Sequence, residues 1–358
     1  MKLDKTFLLK YLNTDSPSTF EIEAQKLWIE ELRDYVDDVI TDNYGNAALL
    51  IKGTNHKDDS ENYKVIIDAH ADEIGWVVKS IGDDGLIKVH RNGGTDNDIT
   101  QGTSIKILTS SSKVKGFFGS PPIHLKEKSG IEVKLEDLSI DVGASSKKDV
   151  QKLGISIGNF IVVDRTSEIM NDKYLVGKSI DDKIGGFIHA EVVKKLKNDN
   201  IKLPYDLYIV NSVQEEVGLR GAKMITDKIK PDVAICFDVT FDTSTTGIDK
   251  SKHGDFKIGE GLVFRQGSDV HNNFLKLMKS VADQNKIDYK IQVGGSGGTN
   301  TFSYYLSNGG VISSTLSIPL KYMHTQNEMV KLSDVKLAIK FYIEILTKIE
   351  NHHNFKYF

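Results

Sequence analysis

Residues 65–69 have the sequence VIIDA, an apolar stretch with the length of a β-strand, and the polar residues His70, Asp72 and Glu73 follow it closely. Similar apolar stretches recur along the chain at 207–213 (LYIVNSV), 233–237 (VAICF) and 311–318 (VISSTLSI). Helical patterns lie between several of them, at 185–198, 272–285 and 332–349. Strands that are apolar throughout and are separated by helices are typical of a parallel sheet covered on both faces. We therefore predict an α/β fold with a mostly parallel sheet and helices on both faces.

The middle of the chain has a different pattern. Between residues 73 and 164 the strands are short, glycines are frequent and hairpin signals such as Gly82-Asp83-Asp84-Gly85 appear. This pattern is typical of a small all-β domain. We predict that it is inserted into the α/β domain, which then consists of residues 1–72 and 165–358.

Charge and cysteine content exclude several classes of protein. The 358 residues include 46 Lys and Arg against 50 Asp and Glu, a net charge of −4 that favours neither nucleic acid nor a membrane surface as a partner. The single cysteine, Cys236, excludes a disulfide framework and thiolate zinc sites and fits a reducing compartment. No apolar stretch approaches the roughly 20 residues of a membrane span, and the amino terminus has no secretory core. We predict a cytoplasmic protein.

Polar residues cluster where the predicted strands end, which is where open α/β sheets bind ligands. They include two histidines and several carboxylates: His70 and Asp72, Asp181, Glu215 and Glu216, Asp238, and His324. Each alone has an ordinary structural explanation, such as a helix cap for Asp181, so the interpretation depends on the combination. Histidines and carboxylates without cysteine suit zinc, manganese or cobalt, and a carboxylate shared by two ions gives a two-metal hydrolytic site.

The adjacent pair Glu215 and Glu216 is informative about chemistry. Neighbouring residues at a strand end point in different directions, so one can bind a metal while the other faces the substrate as a general base. An acidic turn exposed to solvent is the alternative explanation of the pair. Similarly, the spacing of His70 and Asp72 allows the carboxylate to orient the imidazole.

Six ordered segments covering nearly the whole chain carry a family resemblance. They are DAHADEIG (68–75), IDVGASS (140–146), GKSIDDKIGG (177–186), SVQEEVGLRGA (212–222), FDVT (237–240) and YMHTQNEMV (322–330). With these segments the chain resembles the tetrahedral aminopeptidases, the glutamyl and deblocking group of co-catalytic dinuclear metallopeptidases. The resemblance implies a zinc-exopeptidase-like fold and hydrolysis of the amino-terminal residue of short peptides. It also implies two divalent metal ions per subunit, with zinc first and cobalt or manganese as alternatives.

The resemblance also assigns roles to residues. It implies five metal ligands: His70, Asp181 and Asp238 for one ion, and the bridging Asp181 with Glu216 and His324 for the other. Asp72 would orient His70, and Glu215 would be the general base. The resemblance further implies that the β-rich domain mediates self-association, from a dimer up to a twelve-subunit shell.

A glycine-rich segment near residue 297 has two interpretations. Gly297, Gly298 and Asn300 are candidate substrate-binding residues, although many family members have Asp where this chain has Asn300. Alternatively, Ser296 lies in a G-x-S-x-G pattern, as in serine hydrolases. That fold places an acid between the serine and the histidine, and no Asp or Glu lies between Ser296 and His324. A catalytically weak scaffold that forms the shell is a further alternative, since Asn300 departs from the family pattern.

Overall fold

A computed structural model describes residues 1–54, 62–125, 132–294, 297–350 and 355–358. Its helices are α1 (Lys5–Leu12), α2 (Ile22–Leu32), α3 (Asn97–Thr100), α4 (Lys147–Lys152), α5 (Ile180–Asn198), α6 (Arg220–Ile229), α7 (Lys250–His253), α8 (Asn272–Gln284), α9 (Thr301–Tyr305) and α10 (Leu332–Leu346). Its first nine strands are β1 (Asp38–Thr41), β2 (Ala47–Ile51), β3 (Lys64–His70), β4 (Gly75–Ile81), β5 (Ile87–Asn92), β6 (Ser104–Leu108), β7 (Lys113–Phe118), β8 (Ile140–Asp141) and β9 (Phe160–Val163). The others are β10 (Glu168–Met170), β11 (Tyr174–Gly177), β12 (Asp206–Ser212), β13 (Val233–Phe237), β14 (Thr240–Phe241), β15 (Leu262–Gln266), β16 (Tyr289–Val293), β17 (Ile312–Ser317), β18 (Pro319–Leu320) and β19 (Glu328–Lys331).

An eight-stranded sheet forms the centre of the fold, in the order β1-β2-β12-β3-β13-β17-β15-β16. Its middle strands, β12, β3, β13 and β17, are parallel, and Val65 pairs with both Leu207 and Val233. Antiparallel pairs occur toward the two sides, at β1–β2, β2–β12 and β15–β17. The middle strands are buried on both faces, as their continuous apolar sequences predict.

Helices cover both faces of this sheet because successive side chains of a strand point to opposite sides. Val65 and Ile67 on β3 pack into the larger core with side chains of α1, α2, α5, α8 and α10. Ile66, between them, packs into a second core with side chains of α6 and α9. The predicted α/β fold class is confirmed.

The second part of the fold is a closed barrel of six strands, in the order β4-β5-β8-β7-β6-β9. It has its own core, in which the rings of Trp76 and Phe118 lie edge to face with centroids 4.8 Å apart. This barrel is the small all-β domain expected in the middle of the chain, and the boundaries 73–164 stay a prediction. Two of its lysines, Lys106 and Lys113, place their Nζ atoms 3.0 and 2.7 Å from the buried carboxylate of Asp15, which lies outside the barrel.

None of the helices in the described residues combines the length and the apolar character needed to cross a bilayer.

Candidate active site

Three neighbouring parallel strands bring their carboxyl ends to one edge of the sheet. His70 is the last residue of β3, and Ser212, the last residue of β12, pairs with it. Glu215 and Glu216 follow β12, and Asp238 follows β13 directly. Because these strands are parallel and adjacent, residues far apart in sequence converge at this edge.

Two further predicted site residues reach the same edge from other elements. Asp181 lies near the start of α5, with non-helical φ and ψ angles of −72° and 111°. His324 lies between β18 and β19, with a φ of 60°. The structure therefore brings all five predicted metal ligands together with Asp72 and Glu215.

The carboxylate of Asp181 lies between the two histidines. Its Oδ1 is 3.2 Å from Nε2 of His70, and its Oδ2 is 3.3 Å from Nε2 of His324. Nε2 of His324 is also 3.2 Å from Oε1 of Glu216, and Nε2 of His70 is 3.9 Å from Oε2 of Glu215. A carboxylate that turns one oxygen to each histidine has the geometry of a bridging ligand.

The other ring nitrogen of each histidine has a partner that orients the ring. Nδ1 of His324 lies 3.0 Å from the carbonyl oxygen of Gly94, which follows strand β5 of the barrel. Nδ1 of His70 lies 3.2 Å from the carbonyl oxygen of Asp72. A hydrogen on Nδ1 leaves the lone pair of Nε2 free to bind a metal. The barrel thus helps to orient a residue of the site, a contact that sequence reasoning did not anticipate.

Asp72 is fully buried and joins several parts of the site. Its Oδ1 lies 3.4 Å from Nδ1 of His70 and accepts the backbone N–H of Glu215 at 3.0 Å. Its Oδ2 accepts the hydroxyl of Ser18 at 2.6 Å and the N–H of Glu216 at 3.1 Å. Although burial opposes ionisation, these hydrogen bonds and the charge of His70 lower the pKa of Asp72. Asp72 therefore contacts His70 and accepts the backbone N–H groups of both glutamates.

The pKa values of the carboxylates and of His324 are shifted strongly by burial and by neighbouring charges. Burial raises the pKa of Asp238 well above its usual range, and the charge of Asp181 raises it further. Burial likewise raises the pKa of Glu215 and of Glu216. In contrast, hydrogen bonds and charges from Asp181 and Glu216 outweigh burial and raise the pKa of His324 to about 12. So much buried negative charge is stable only with compensating cations or protons.

Two groups of ligand atoms are compact enough to hold a metal ion. One consists of His70, Asp182 and Asp238, and the other of His70, Asp181 and Glu216, with the atoms of each group within 4.8 Å of one another. Both carboxylate oxygens of Asp182 are buried without a hydrogen-bond partner among the described residues. Imidazole and carboxylate ligands with unpartnered oxygens fit divalent cations such as zinc, cobalt or manganese. Sequence reasoning missed Asp182, although the Asp-Asp doublet at 181–182 was a signal.

A cavity of about 540 Å³ opens beside these residues, and Glu215, Gly297 and Gly298 line it. Asn300 does not. Its side chain is buried, and its amide nitrogen donates to Oδ2 of Asp68 at 2.9 Å and to the hydroxyl of Ser212 at 2.8 Å. Asn300 is therefore buried outside the lining of this cavity, and Asp68 and Ser212 accept hydrogen bonds from its amide nitrogen. Ser296, the nucleophile of the alternative hydrolase, lies outside the described residues.

A second cavity of about 270 Å³ meets the site from the barrel side. Asp181, Glu216 and His324 line it together with barrel residues such as Trp76 and Ile99. These three candidate ligands also line the larger cavity, so they are accessible from two directions. Such a cluster, at the carboxyl edge of a central parallel sheet, defines a candidate metal-dependent hydrolase.

Comparisons with known proteins indicate the family of the chain. Residues 49–341 match the model of the family described as M42 glutamyl aminopeptidase. The chain is 28% identical over 353 residues to the lysyl aminopeptidase of Pyrococcus furiosus, covering 97% of this chain and 98% of that protein. The TET aminopeptidase of the marine sediment archaeon Thaumarchaeota archaeon SCGC AB-539-E09 has a TM-score of 0.91 at 26% identity, covering 97% and 96%. The Pyrococcus horikoshii TET1 peptidase, which can assemble into a tetrahedron or a large octahedral shell, has a TM-score of 0.85 at 27% identity, covering 96% and 99%.

The chain belongs to the M42 glutamyl aminopeptidase family. It is accordingly a metallo-aminopeptidase, an enzyme that hydrolyses peptides. The family resemblance carried by the six sequence segments is confirmed.

Proposed function

We propose that the chain removes the amino-terminal residue from short peptides with two divalent metal ions per subunit, zinc first, with cobalt or manganese as alternatives. The observation that carries the proposal is the carboxylate of Asp181 between Nε2 of His70 and Nε2 of His324, at 3.2 and 3.3 Å. Asp238, grouped with His70, and Glu216, which contacts His324, would be further ligands.

Each ion would have three of these residues. His70, Asp181 and Asp238 would hold one, and Asp181, Glu216 and His324 the other. Asp182 would be an additional ligand for the first. When bound, such ions activate water and polarise the carbonyl of the scissile bond. Asp72 keeps His70 in the orientation that presents Nε2.

Glu215 is the proposed general base. It lines the larger cavity, and the bond from its backbone N–H to Asp72 fixes its position. Its carboxylate would accept a proton from the attacking water and return it to the leaving amine. Burial raises its pKa in the metal-free chain, and a nearby cation would favour the ionised form that a base requires.

The two cavities suit a peptide that extends across the site. One cavity would take the amino-terminal residue, and the other would take the residues beyond the scissile bond. Gly297 and Gly298 are proposed to contact the peptide in the larger cavity. Asn300 would support this glycine segment from behind, through Asp68 and Ser212.

Metal depletion followed by separate restoration of each metal tests the proposal, with a panel of amino-acid amidocoumarins as substrates. We expect no hydrolysis by the depleted enzyme and full recovery at two ions per chain. Hydrolysis that survives depletion would contradict the proposal, and a Ser296→Ala variant would then test the serine hydrolase. Binding of two ions without hydrolysis of any substrate would indicate the scaffold.

We further propose that the chain self-associates, from a dimer up to a dodecamer, through the barrel domain at residues 73–164. Phe117, Ile123 and Leu125 in that region are 50%, 79% and 73% exposed, and exposed apolar side chains of this size favour contact with another protein surface. Light scattering should give at least twice the chain mass of 39.9 kDa, and the mass of one chain would contradict self-association. A cytoplasmic location is proposed on the single cysteine, Cys236, which is buried and free.

A further inference from the structure

Glu328, the first residue of β19, contacts two separate parts of the site. Its side chain is buried, and its Oε1 accepts the backbone N–H of His324 at 2.9 Å. Its Oε2 accepts the N–H of Ile180 at 2.8 Å and the N–H of Asp181 at 3.1 Å. One carboxylate therefore joins the segment of Asp181 to the segment of His324. Because backbone N–H groups use both oxygens, Glu328 is not itself a candidate ligand.

The segments that contain Asp181 and His324 both include strained backbone that must be held in place. His324 has a φ of 60° and Ser179 a φ of 57°, and non-glycine residues keep this left-handed conformation only where the surroundings hold it. Glu328 is well anchored for this purpose. Strand β19 pairs with β11 (Tyr174–Gly177), and Glu328 lies opposite Gly177, shortly before the Asp181 segment.

We propose that Glu328 is a positioning residue that sets the spacing of Asp181 and His324 before any metal binds. The inference rests on the proposed function, since it takes these two residues as metal ligands. Metal ligands must reach distances correct to about 0.2 Å, so a small displacement of either segment weakens the site. Only a carboxylate, with two acceptor oxygens and no donor, satisfies N–H groups on both sides.

The variant Glu328→Gln tests the proposal. Whichever way the amide is turned, its NH₂ group faces a backbone N–H, so the bond to one segment is lost. We expect a 10- to 100-fold weaker affinity for divalent metal, measured by competition with a chromophoric chelator, and activity that recovers at high metal concentration. Asp334→Asn is the matched control, because Asp334 is also a buried carboxylate that accepts a backbone N–H, from Gly259, and lines neither cavity. Its metal affinity should equal that of the wild type.

Wild-type metal affinity in Glu328→Gln, with two ions bound, would overturn the positioning role and leave the proposed function intact. Failure of the wild type to bind metal would instead overturn the proposed function. Should Glu328→Gln not fold, hydrogen exchange of the wild type decides. In the metal-depleted protein the amides of Ile180, Asp181 and His324 should be protected. If these amides exchange at the rate of an unstructured chain until metal is added, the metal, and not Glu328, positions the two segments.

Discussion

Replacing Glu215 by Gln separates proton transfer from metal binding. The change removes the proton acceptor while keeping the shape of the side chain, its place in the cavity wall and the backbone bond to Asp72 at 3.0 Å. A positioned general base contributes about 10²- to 10⁴-fold to the rate. We therefore expect kcat to fall by about 10²- to 10⁴-fold. At 1.36 kcal/mol for each factor of ten, this is a rise of about 2.7–5.4 kcal/mol in activation free energy.

The neighbouring residue provides the control. Oε1 of Glu216 is 3.2 Å from Nε2 of His324, and Glu216 belongs to a compact group of potential ligands. Glu216→Gln should therefore reduce the bound metal, whereas Glu215→Gln should keep two ions per chain with KM nearly unchanged. Kinetics with an aminoacyl amidocoumarin and elemental analysis of each protein measure both quantities.

Two results would refute this reasoning. If Glu215→Gln keeps the wild-type kcat, Glu215 is not the base. If Glu215→Gln loses metal while Glu216→Gln keeps it, the roles of the adjacent glutamates are exchanged.

Two further predictions concern stability. Burial lowers the pKa of His189 to about 3, below the value of about 6.5 in an unfolded chain. Between these two pH values only the unfolded state binds the proton, so the free energy of unfolding falls as the pH falls. Between pH 7 and pH 5 the wild type should lose about 2 kcal/mol more free energy of unfolding than His189→Leu. Denaturant titration at both pH values measures this difference, and equal losses would show that His189 does not contribute to the pH dependence. Lys178→Met leaves the buried carboxylates of Asp15 and Glu73 without the Nζ that lies 2.7 and 2.8 Å away, and should cost about 3–5 kcal/mol. Lys113→Met, at a side chain 57% exposed, should cost less than about 1 kcal/mol in free energy of unfolding when both lysine variants are measured by denaturant titration. A similar cost for both lysines would contradict the argument.

The sheet and its helices were predictable because their signals are local. Apolar stretches such as 233–237 coincide with β13, and the helical pattern at 272–285 coincides with α8 (Asn272–Gln284). The order of the strands was not predictable in this way. The antiparallel β15, for example, lies between β17 and β16, which no periodicity indicates. Side-chain pattern reports which face is buried, and strand order depends on contacts between distant segments.

The site divides in the same manner. Residue types at strand ends indicated histidine and carboxylate ligands, but Asp182 and Glu328 were missed. Glu328 lies in the segment 322–330 that carries part of the family resemblance, but the resemblance assigned it no role, and the pairing of its strand with β11 brings it to the backbone of Asp181. Asn300 was expected at the substrate, and the structure shows that Asp68 and Ser212 hold its amide nitrogen instead.

The sequence by itself determined the α/β class, the inserted β-rich domain, the family and the chemical types of the site residues, because periodicity, composition and motifs are properties of neighbouring residues. The tertiary structure alone decided that Asp181 lies between His70 and His324, that the barrel carbonyl of Gly94 orients His324, and that Asn300 faces Asp68. Each of these contacts joins residues that are distant along the chain. They depend on how the strands and loops pack together, which no single segment specifies.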